Sequence, residues 1–249
     1  AGVSYIPTTK GIMGYGDGNV SITNLITSSG IVGSDVTGVG TGSRNRAATT
    51  YGIDKALFYG GGTSSGNSNW ASSASNISNL INNVGVVATD TAGVGTARFW
   101  PTCTAYGEDK GIFAYGDMQY SPSYNMRNLV SNVGVIASDV TGAGTARGGA
   151  ASCTYGNDKG IVVYGYNGAG VNASNLISNT GVVGSDVTGV GTVRWSVGGC
   201  GYGSDKGIIA FGETVAISNL VTNVGVVGTD NAIAGTARGT GQGAGYSIT

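Results

Sequence analysis

The sequence contains no histidine among its 249 residues. Histidine is the commonest general base and the commonest metal ligand, so its absence excludes Ser-His and Cys-His nucleophile pairs and histidine-ligated metals. Cysteine is nearly absent too, with only Cys103, Cys153 and Cys200. Each lies two or three residues before a repeated tyrosine, so we expect small buried thiols and no disulfide framework. We therefore expect no metal and no other cofactor.

Charge is also scarce in this chain. Lys, Arg, Asp and Glu make up 10% of the residues and the formal net charge is −1, whereas an average soluble domain has roughly 25% charged residues. Such a chain lacks the basic footprint that a phosphate backbone requires, so we expect no nucleic-acid partner. No apolar run approaches the roughly 18 residues of a membrane-spanning helix, so we expect no membrane partner either.

What the sequence has instead is 48 glycines and a pattern that recurs five times. An Asn-Leu pair precedes the aspartate of a Ser-Asp-Val-Thr-Gly motif by 11 residues in every copy, and that aspartate precedes the lysine of the next Asp-Lys-Gly-Ile motif by 20. A fourth motif is Gly-Thr-Ala-Arg. The repeated positions are Lys10, Lys55, Lys110, Lys159 and Lys206; Asn24, Asn79, Asn128, Asn175 and Asn219; Asp35, Asp90, Asp139, Asp186 and Asp230; and Arg98, Arg147, Arg194 and Arg238.

The copies differ in two respects. In the first Gly-Thr-Ala-Arg motif Ser43 stands in register, and we take Arg44, one residue later, as the arginine of that copy. All length variation falls between the lysine and the asparagine, in one segment per repeat. These variable segments lie within residues 17–21, 62–75, 117–125, 166–173 and 213–216.

Each repeat predicts four short strands. In the fourth copy these are a small-residue strand at 148–153, a β-branched strand at 159–164, a third strand at 175–178 and a fourth at 182–183. Four strands per repeat of about fifty residues is the blade of a β-propeller. We therefore predict an all-β fold, a five-bladed β-propeller with four antiparallel strands per blade. It forms one domain over residues 1–249, with repeats at approximately 10–54, 55–109, 110–158, 159–205 and 206–249. A β-solenoid is the alternative architecture.

The ends of the chain indicate how the ring closes. Residues 235–246 repeat the first strand of a blade, and residues 1–5 match a remnant of the same strand. We expect the C-terminal copy to pair with the second strand of the first blade, because closure removes exposed sheet edges. The alternative is that this strand is donated to a neighbouring subunit and builds a polymer.

Most charged residues occupy repeated positions, and this favours a structural role for them. A substrate is asymmetric, so a catalytic constellation breaks the repeat, whereas ion pairs and turn caps recur with the fold. Only four acidic residues lie off the repeat set, and they come from four separate places: Asp17, Glu108, Asp117 and Glu213. We therefore predict that the protein is not an enzyme, and a hydrolase is the weakest of three hypotheses.

Aromatic side chains give the candidate binding face. In an antiparallel blade, the variable segment and the Asp-Val-Thr-Gly connection lie on the same face, and all three tryptophans fall near it. Exposed aromatics on one face suit carbohydrate stacking or protein contact, although the same rings could seal the core instead. The candidate residues are Trp70, Trp100, Tyr120, Tyr124, Tyr166 and Trp195.

The order of arginine, small inner strand, Tyr-Gly turn, Lys-Gly-Ile-Phe-Ala-Tyr-Gly, variable loop and outer hairpin resembles kelch-like repeat proteins. The chain departs from the kelch pattern in lacking its regular late tryptophan. The Asp-Val-Thr-Gly-Val-Gly-Thr string, together with Asp-Lys-Gly-Ile, resembles repeats of virion and tail-fibre proteins of tailed bacteriophages. This resemblance implies a structural or adhesive appendage module that contacts a host surface or neighbouring subunits.

The resemblance also sets the expected partners and place of action. The partners are other virion or appendage proteins or surface glycans, and a homo-oligomer is a further option. The expected location is a virion or an extracellular surface, after assembly in a reducing compartment. A free five-bladed lectin that binds carbohydrate is the alternative function.

Overall fold

A computed structural model of the protein describes residues 10–63, 73–118, 122–239 and 243. The fold is all-β, and the strands of this described part form five small antiparallel sheets. Sheet 1 contains β1 (Gly11–Gly16) and β2 (Val20–Ile26); sheet 2 contains β3 (Ala47–Tyr51), β4 (Lys55–Tyr59) and β5 (Ser78–Ile81); sheet 3 contains β6 (Thr102–Tyr106), β7 (Lys110–Ala114) and β8 (Arg127–Val130). Sheet 4 contains β9 (Ala151–Tyr155), β10 (Lys159–Val163), β11 (Ala173–Ile177) and β12 (Val187–Thr188); sheet 5 contains β13 (Gly198–Tyr202), β14 (Lys206–Ala210), β15 (Ile217–Val221) and β16 (Asn231–Ala232).

The second and third predicted strands match β10 and β11 closely, but the fourth was wrong. Val183 makes only a single bridge to Ile177, and the strand that pairs with β11 is β12, in the Asp-Val-Thr-Gly motif. In sheets 1 to 3, single bridges at Val36, Thr91 and Val140 take the place of this fourth strand. A valine and threonine in an exposed connection are therefore the outer edge of the sheet.

Successive sheets pack face to face. Ile161 and Val163 of β10 share one core cluster with Ile209 of sheet 5, whereas Val162 lies in another cluster with Ile112 of sheet 3. Alternate side chains of a strand point to opposite faces, so sheet 4 is covered on both sides. This explains why the second strands are almost continuously apolar.

The glycine of the Asp-Lys-Gly-Ile motif permits this close packing. A Cβ at Gly160 would lie 2.5 Å from Cγ2 of Thr104, in the first strand of the preceding sheet. Gly111 faces Thr49 in the same way, and Gly207 faces Cys153. Real Cβ atoms do not approach neighbours this closely, so the small residue is required where β-strands of adjacent sheets cross.

The far C-terminal glycine repeats another close approach. Gly199 of β13 lies against the backbone of Ser152 in β9, and Gly243 lies against Gly199, where a Cβ would be 2.8 Å from the carbonyl oxygen. Each of these residues comes five positions after a repeated arginine or its equivalent, Arg147, Arg194 or Arg238. Gly243 therefore lies against the first strand of sheet 5 in the same way as Gly199, in that strand, lies against the first strand of sheet 4.

Candidate binding face and its arginine latches

A buried arginine connects the beginning of each of three sheets to its third strand. Arg147 Nη2 donates to Asn175 Oδ1 at 2.5 Å, Nε donates to the Tyr164 carbonyl at 2.6 Å, and Nη1 donates to the Thr145 carbonyl at 2.8 Å. Arg194 repeats all three bonds, and Arg98 repeats the Asn128 and Thr96 bonds. All three arginines are fully buried. We call this arrangement the arginine latch.

Each latch also reaches the preceding sheet. The Arg147 guanidinium lies 4.2 Å from the ring centroid of Tyr115, and Arg194 lies 4.6 Å from that of Tyr164. Burial lowers the pKa of Arg147, while the neighbouring Tyr115 and Asp186 act against that shift. The arginine remains charged because its usual pKa is above 12. A cation between two sheets thus joins them through one ring and one hydrogen-bond network.

The repeated aspartate completes the latch from the outer edge. Asp139 accepts hydrogen bonds from the backbone N and Oγ1 of Thr96, at 2.8 and 2.7 Å, and from Asn128 Nδ2 at 2.8 Å. Burial alone would raise the pKa of Asp139, but these hydrogen bonds and Arg98 outweigh it, so the pKa is lowered. The carboxylate lies 3.8 Å from Arg98 Nη1. Asp90, Asp186 and Asp230 have equivalent threonine and asparagine donors.

The assignment of Arg44 as the first repeated arginine was wrong. Ser43 does occupy the register position, since its carbonyl accepts from Gly16 N as that of Arg147 accepts from Gly116 N. The guanidinium over the Tyr15 ring, however, belongs to Arg46, at 4.2 Å. Arg44 instead forms an ion pair with Asp17 at 3.0 Å. Arg46, which takes over the contact with the Tyr15 ring, lies three residues after Ser43, so alignment of the repeats by register does not identify it.

A second shift occurs in the same sheet, sheet 2. Tyr15, Tyr115 and Tyr164 all have positive φ near 60° and donate from their hydroxyls to the Val39, Ala143 and Val190 carbonyls. In the second repeat, Gly60 takes the positive-φ position. Tyr59, one residue earlier, makes the equivalent bond to the Val94 carbonyl at 3.1 Å. The tyrosine function is thus kept while the backbone register changes.

The lysines do not join the latch. Lys110 Nζ lies 2.7 Å from Asp109 Oδ1, and Lys55, Lys159 and Lys206 pair with their own preceding aspartates. Their partners lie in the turn between the first and second strands, at the opposite end of the sheets from the arginines. Lys10 lies at the edge of the described residues and is exposed. These pairs are exposed enough that each contributes little to stability.

The predicted aromatic residues are only partly brought together. Tyr166 and Trp195 are half-buried neighbours with ring centroids 4.5 Å apart, one from a variable segment and one from the start of the next sheet. Tyr124 is half-buried and acts electrostatically on Arg98, so it borders a latch. Trp70 and Tyr120 lie outside the described residues.

Trp100 has an unusual backbone conformation. Its φ is +47°, and the equivalent positions hold Asn45, Gly149 and Ser196, all with positive φ between 54° and 60°. Asparagine and glycine adopt this region readily, whereas a bulky residue does so at a cost of about 1–2 kcal/mol. Its half-buried ring lies 6.0 Å from that of Phe99. A tryptophan therefore stands where local preference favours a small residue.

The described part of the chain contains no cluster of three or more His, Cys, Asp or Glu side chains that could hold a metal ion. Burial raises the pKa of Cys103 to about 11 and that of Cys153 to about 12, so both are protonated at neutral pH and are poor nucleophiles. Cys103 Sγ donates to the Ala48 carbonyl. All three cysteines are free thiols. No helix within the described ranges is long and apolar enough to cross a membrane.

Comparison with known proteins informs the fold alone. No protein-family model matches the sequence, and neither does any curated protein. Among solved structures 172 chains match, and one of them is the structure of YjhT, with a TM-score of 0.69 over 96% of this chain and 85% of that chain. The sequence identity to it is 10%. Such a likeness carries no statement about activity or ligand.

Proposed function

We propose that the chain is a five-bladed β-propeller that works as a non-catalytic structural or adhesive module. The observation that carries this proposal is that the repeated charged residues form structural contacts within the fold. Arg98, Arg147 and Arg194 are fully buried in equivalent latches, each held by an asparagine and an aspartate at the same register. Because these charged groups hold the sheets together, few charged side chains remain on the surface for catalysis. The surface is better suited to contact with a partner.

Two features support the propeller and its closure. The five sheets follow one another with the same packing, and Gly243 continues the close approaches of the first strands beyond sheet 5. The C-terminal copy would then supply the first strand of sheet 1, whose described strands are only β1 and β2. Donation of that strand to a neighbouring copy is the competing arrangement.

Exposed valines favour assembly with other copies of this chain. The turn after each third strand exposes apolar side chains, including Val133 at 71%. The equivalent residues are Val84, Val86, Val135, Val182, Val224 and Val226. Contiguous exposed apolar patches mark interaction sites, and we propose that these valines form one. A partner that covers these valines must present apolar side chains at the spacing of the repeats, and a second copy of this chain does so. The Lys–Asp pairs at the same end carry no net charge, so two copies do not repel each other there.

The resemblance to phage repeats makes a virion or appendage the proposed place of assembly. In that setting the valine end would face neighbouring subunits, and the face with Tyr166 and Trp195 would point outward to host glycans or proteins. A free lectin is the second candidate, and the Tyr166–Trp195 pair favours it, because adjacent aromatic rings are suited to sugar stacking.

The deciding measurement is the mass of the native protein by light scattering, together with electron microscopy of its source. A fixed stoichiometry in a particle or filament supports the structural module. A free monomer would contradict it and leave the lectin, which a glycan array then tests. The valine contact is tested with Val133→Lys/Val135→Lys in sedimentation experiments. Val187→Lys is the matched control, since Val187 is an exposed valine at the opposite end of its sheet.

A further inference from the structure

The second sheet lacks the buried arginine of the latch. Ser43 stands at the position held by Arg98, Arg147 and Arg194, and Asn79 is the asparagine that would accept from it. Asn79 is fully buried, its amide donates to Ala88 O at 3.1 Å and to Asp90 Oδ1 at 2.9 Å, and its Oδ1 has no hydrogen-bond partner. A buried acceptor left unpaired costs about 1–3 kcal/mol.

Arg46 replaces the arginine only in part. Its guanidinium covers the Tyr15 ring, but Nη2 donates to the Phe58 and Ile77 carbonyls, at 3.5 and 3.1 Å, and not to Asn79. Its Nε is buried and has no partner. One acceptor, Asn79 Oδ1, and one donor, Arg46 Nε, are therefore unsatisfied in this latch. The equivalent Arg147 and Arg194 have neither defect. Arg98 also has an unpaired Nε but does pair with its asparagine, so the unpaired Asn79 acceptor is the difference.

A cavity of about 240 Å³ lies beside Ser43 and Arg46, the two residues that distinguish this latch from the others. Water takes about 30 Å³ per molecule in the liquid, so this space is larger than one or two waters require and smaller than a drug-sized pocket. Hydroxyl-bearing and small side chains dominate its described lining: Thr41, Ser43, Thr63, Ser73, Ala74 and Ser75, together with Arg46 and Ile77. Thr63, Ser73, Ala74 and Ser75 belong to the longest variable segment, so the cavity lies between an incomplete latch and that segment.

We propose that this cavity binds a small uncharged polyol, of the class of a single sugar unit. Hydroxyl groups both donate and accept, so a polyol can pair with the hydroxyls of Ser43 and Thr63 in the lining. The arginine charge is already opposed by Asp90 and covered by Tyr15, so an anion gains little here and an added cation is repelled. The site is separate from the Tyr166–Trp195 pair and does not depend on the function proposed above.

Repair of the latch tests the proposal. Ser43→Arg/Arg46→Val introduces the pattern found before the first strand of sheet 5, where Arg194 is followed three residues later by Val197. The new arginine fills the cavity and pairs with Asn79. Binding of glycerol and a panel of neutral monosaccharides is followed by ligand-observed NMR, with acetate and sulfate as charged probes. We expect one neutral probe to bind the natural protein and the repaired variant to bind it at least about tenfold more weakly, with a raised melting temperature.

A second variant and a control make the outcome decisive. Ala74→Leu fills the cavity without removing a side-chain hydrogen bond, because alanine makes none. It should weaken binding as well, and it serves as the test if the double variant fails to fold. Tyr202→Ala, which changes an exposed tyrosine at the end of β13, should leave this binding unchanged. The proposal is overturned if no neutral probe binds, if a charged probe binds in preference, or if the filled variants keep the affinity of the natural protein.

Discussion

Arg147 Nη2 donates to Asn175 Oδ1 across 2.5 Å, and both side chains are fully buried. The bond joins the chain before the first strand of sheet 4 to the third strand, so it spans β9, β10 and β11. The same arginine covers Tyr115 of sheet 3. A single side chain thus holds its own sheet together and fixes the neighbouring sheet against it.

Replacement of this arginine should be strongly destabilising. Arg147→Met leaves Asn175 Oδ1 and two carbonyls without donors, and loss of one partner of a buried charged network costs about 3–5 kcal/mol. Arg147→Lys should recover little, since an ammonium cannot present the planar fork that reaches three oxygens. Chemical denaturation measures the change. The matched control is Arg238→Met, because Arg238 is exposed at the same register; equal losses at the two positions would contradict the latch.

Acid should unfold the protein through the repeated aspartates. The pKa values of Asp90, Asp139, Asp186 and Asp230 are lowered, because hydrogen bonds from threonine and asparagine outweigh the effect of burial. A carboxyl whose folded pKa lies below its unfolded value of about 3.9 contributes stability above that pH and loses it as the pH falls through the folded pKa.

The free energy of unfolding, measured from pH 7 to pH 2, should therefore be steady above about pH 5 and fall steeply below about pH 4. Asp139→Asn should be less stable at pH 7 and should show a shallower fall in acid, since one of the four groups no longer titrates. A stability that rises on acidification below pH 4 would show that these carboxylates are not stabilised by the fold.

The register of the repeats could be predicted from the sequence because the distances between motifs are fixed by pairs of strands. Asn79 and Asp90 lie 11 residues apart, as their counterparts do, and the structure joins them by a hydrogen bond. The exchange of Ser43 for Arg46 could not be predicted, because a long side chain can reach the same ring from a different backbone position. The shift of Tyr59 beside Gly60 has the same cause.

The candidate site shows the same limit. Trp195 and Tyr166 belong to different repeats, and only the stacking of sheets 4 and 5 makes them neighbours. The sequence predicts that both residues lie near one face, but it does not predict the distance between their rings. Nothing in the sequence predicts the cavity beside Ser43. The unpaired acceptor at Asn79 depends on which oxygens the Arg46 guanidinium donates to, and that is visible only in the structure.

Closure of the ring by the C-terminal strand can be tested at two glycines. Gly243→Ala would place a Cβ 2.8 Å from the carbonyl oxygen of Gly199, whereas a Cβ at Gly239 meets nothing within 4 Å. We expect Gly243→Ala to lower the free energy of unfolding by about 1–3 kcal/mol, the usual cost of overpacking, and Gly239→Ala to be nearly neutral. A loss that disappears on dilution would indicate that the strand is donated between copies.

The aromatic pair gives the test of the binding face. Trp195→Ala and Tyr166→Ala should each weaken attachment to the host surface or to a glycan by at least about tenfold, since a buried aromatic anchor contributes about 2 kcal/mol or more to an interface. The half-buried rings also pack on each other, so a modest loss of stability accompanies the change. Surface plasmon resonance on folded variants separates the two effects.

Tyr202→Ala is the matched control, because Tyr202 is an exposed tyrosine at the end of β13, where the strand turns away from the binding face. It should keep full binding. If all three variants bind alike, the rings seal the junction between sheets 4 and 5 and take no part in recognition. If only Trp195→Ala and Tyr166→Ala lose binding, contact occurs at the junction between sheets 4 and 5, where the two half-buried rings meet.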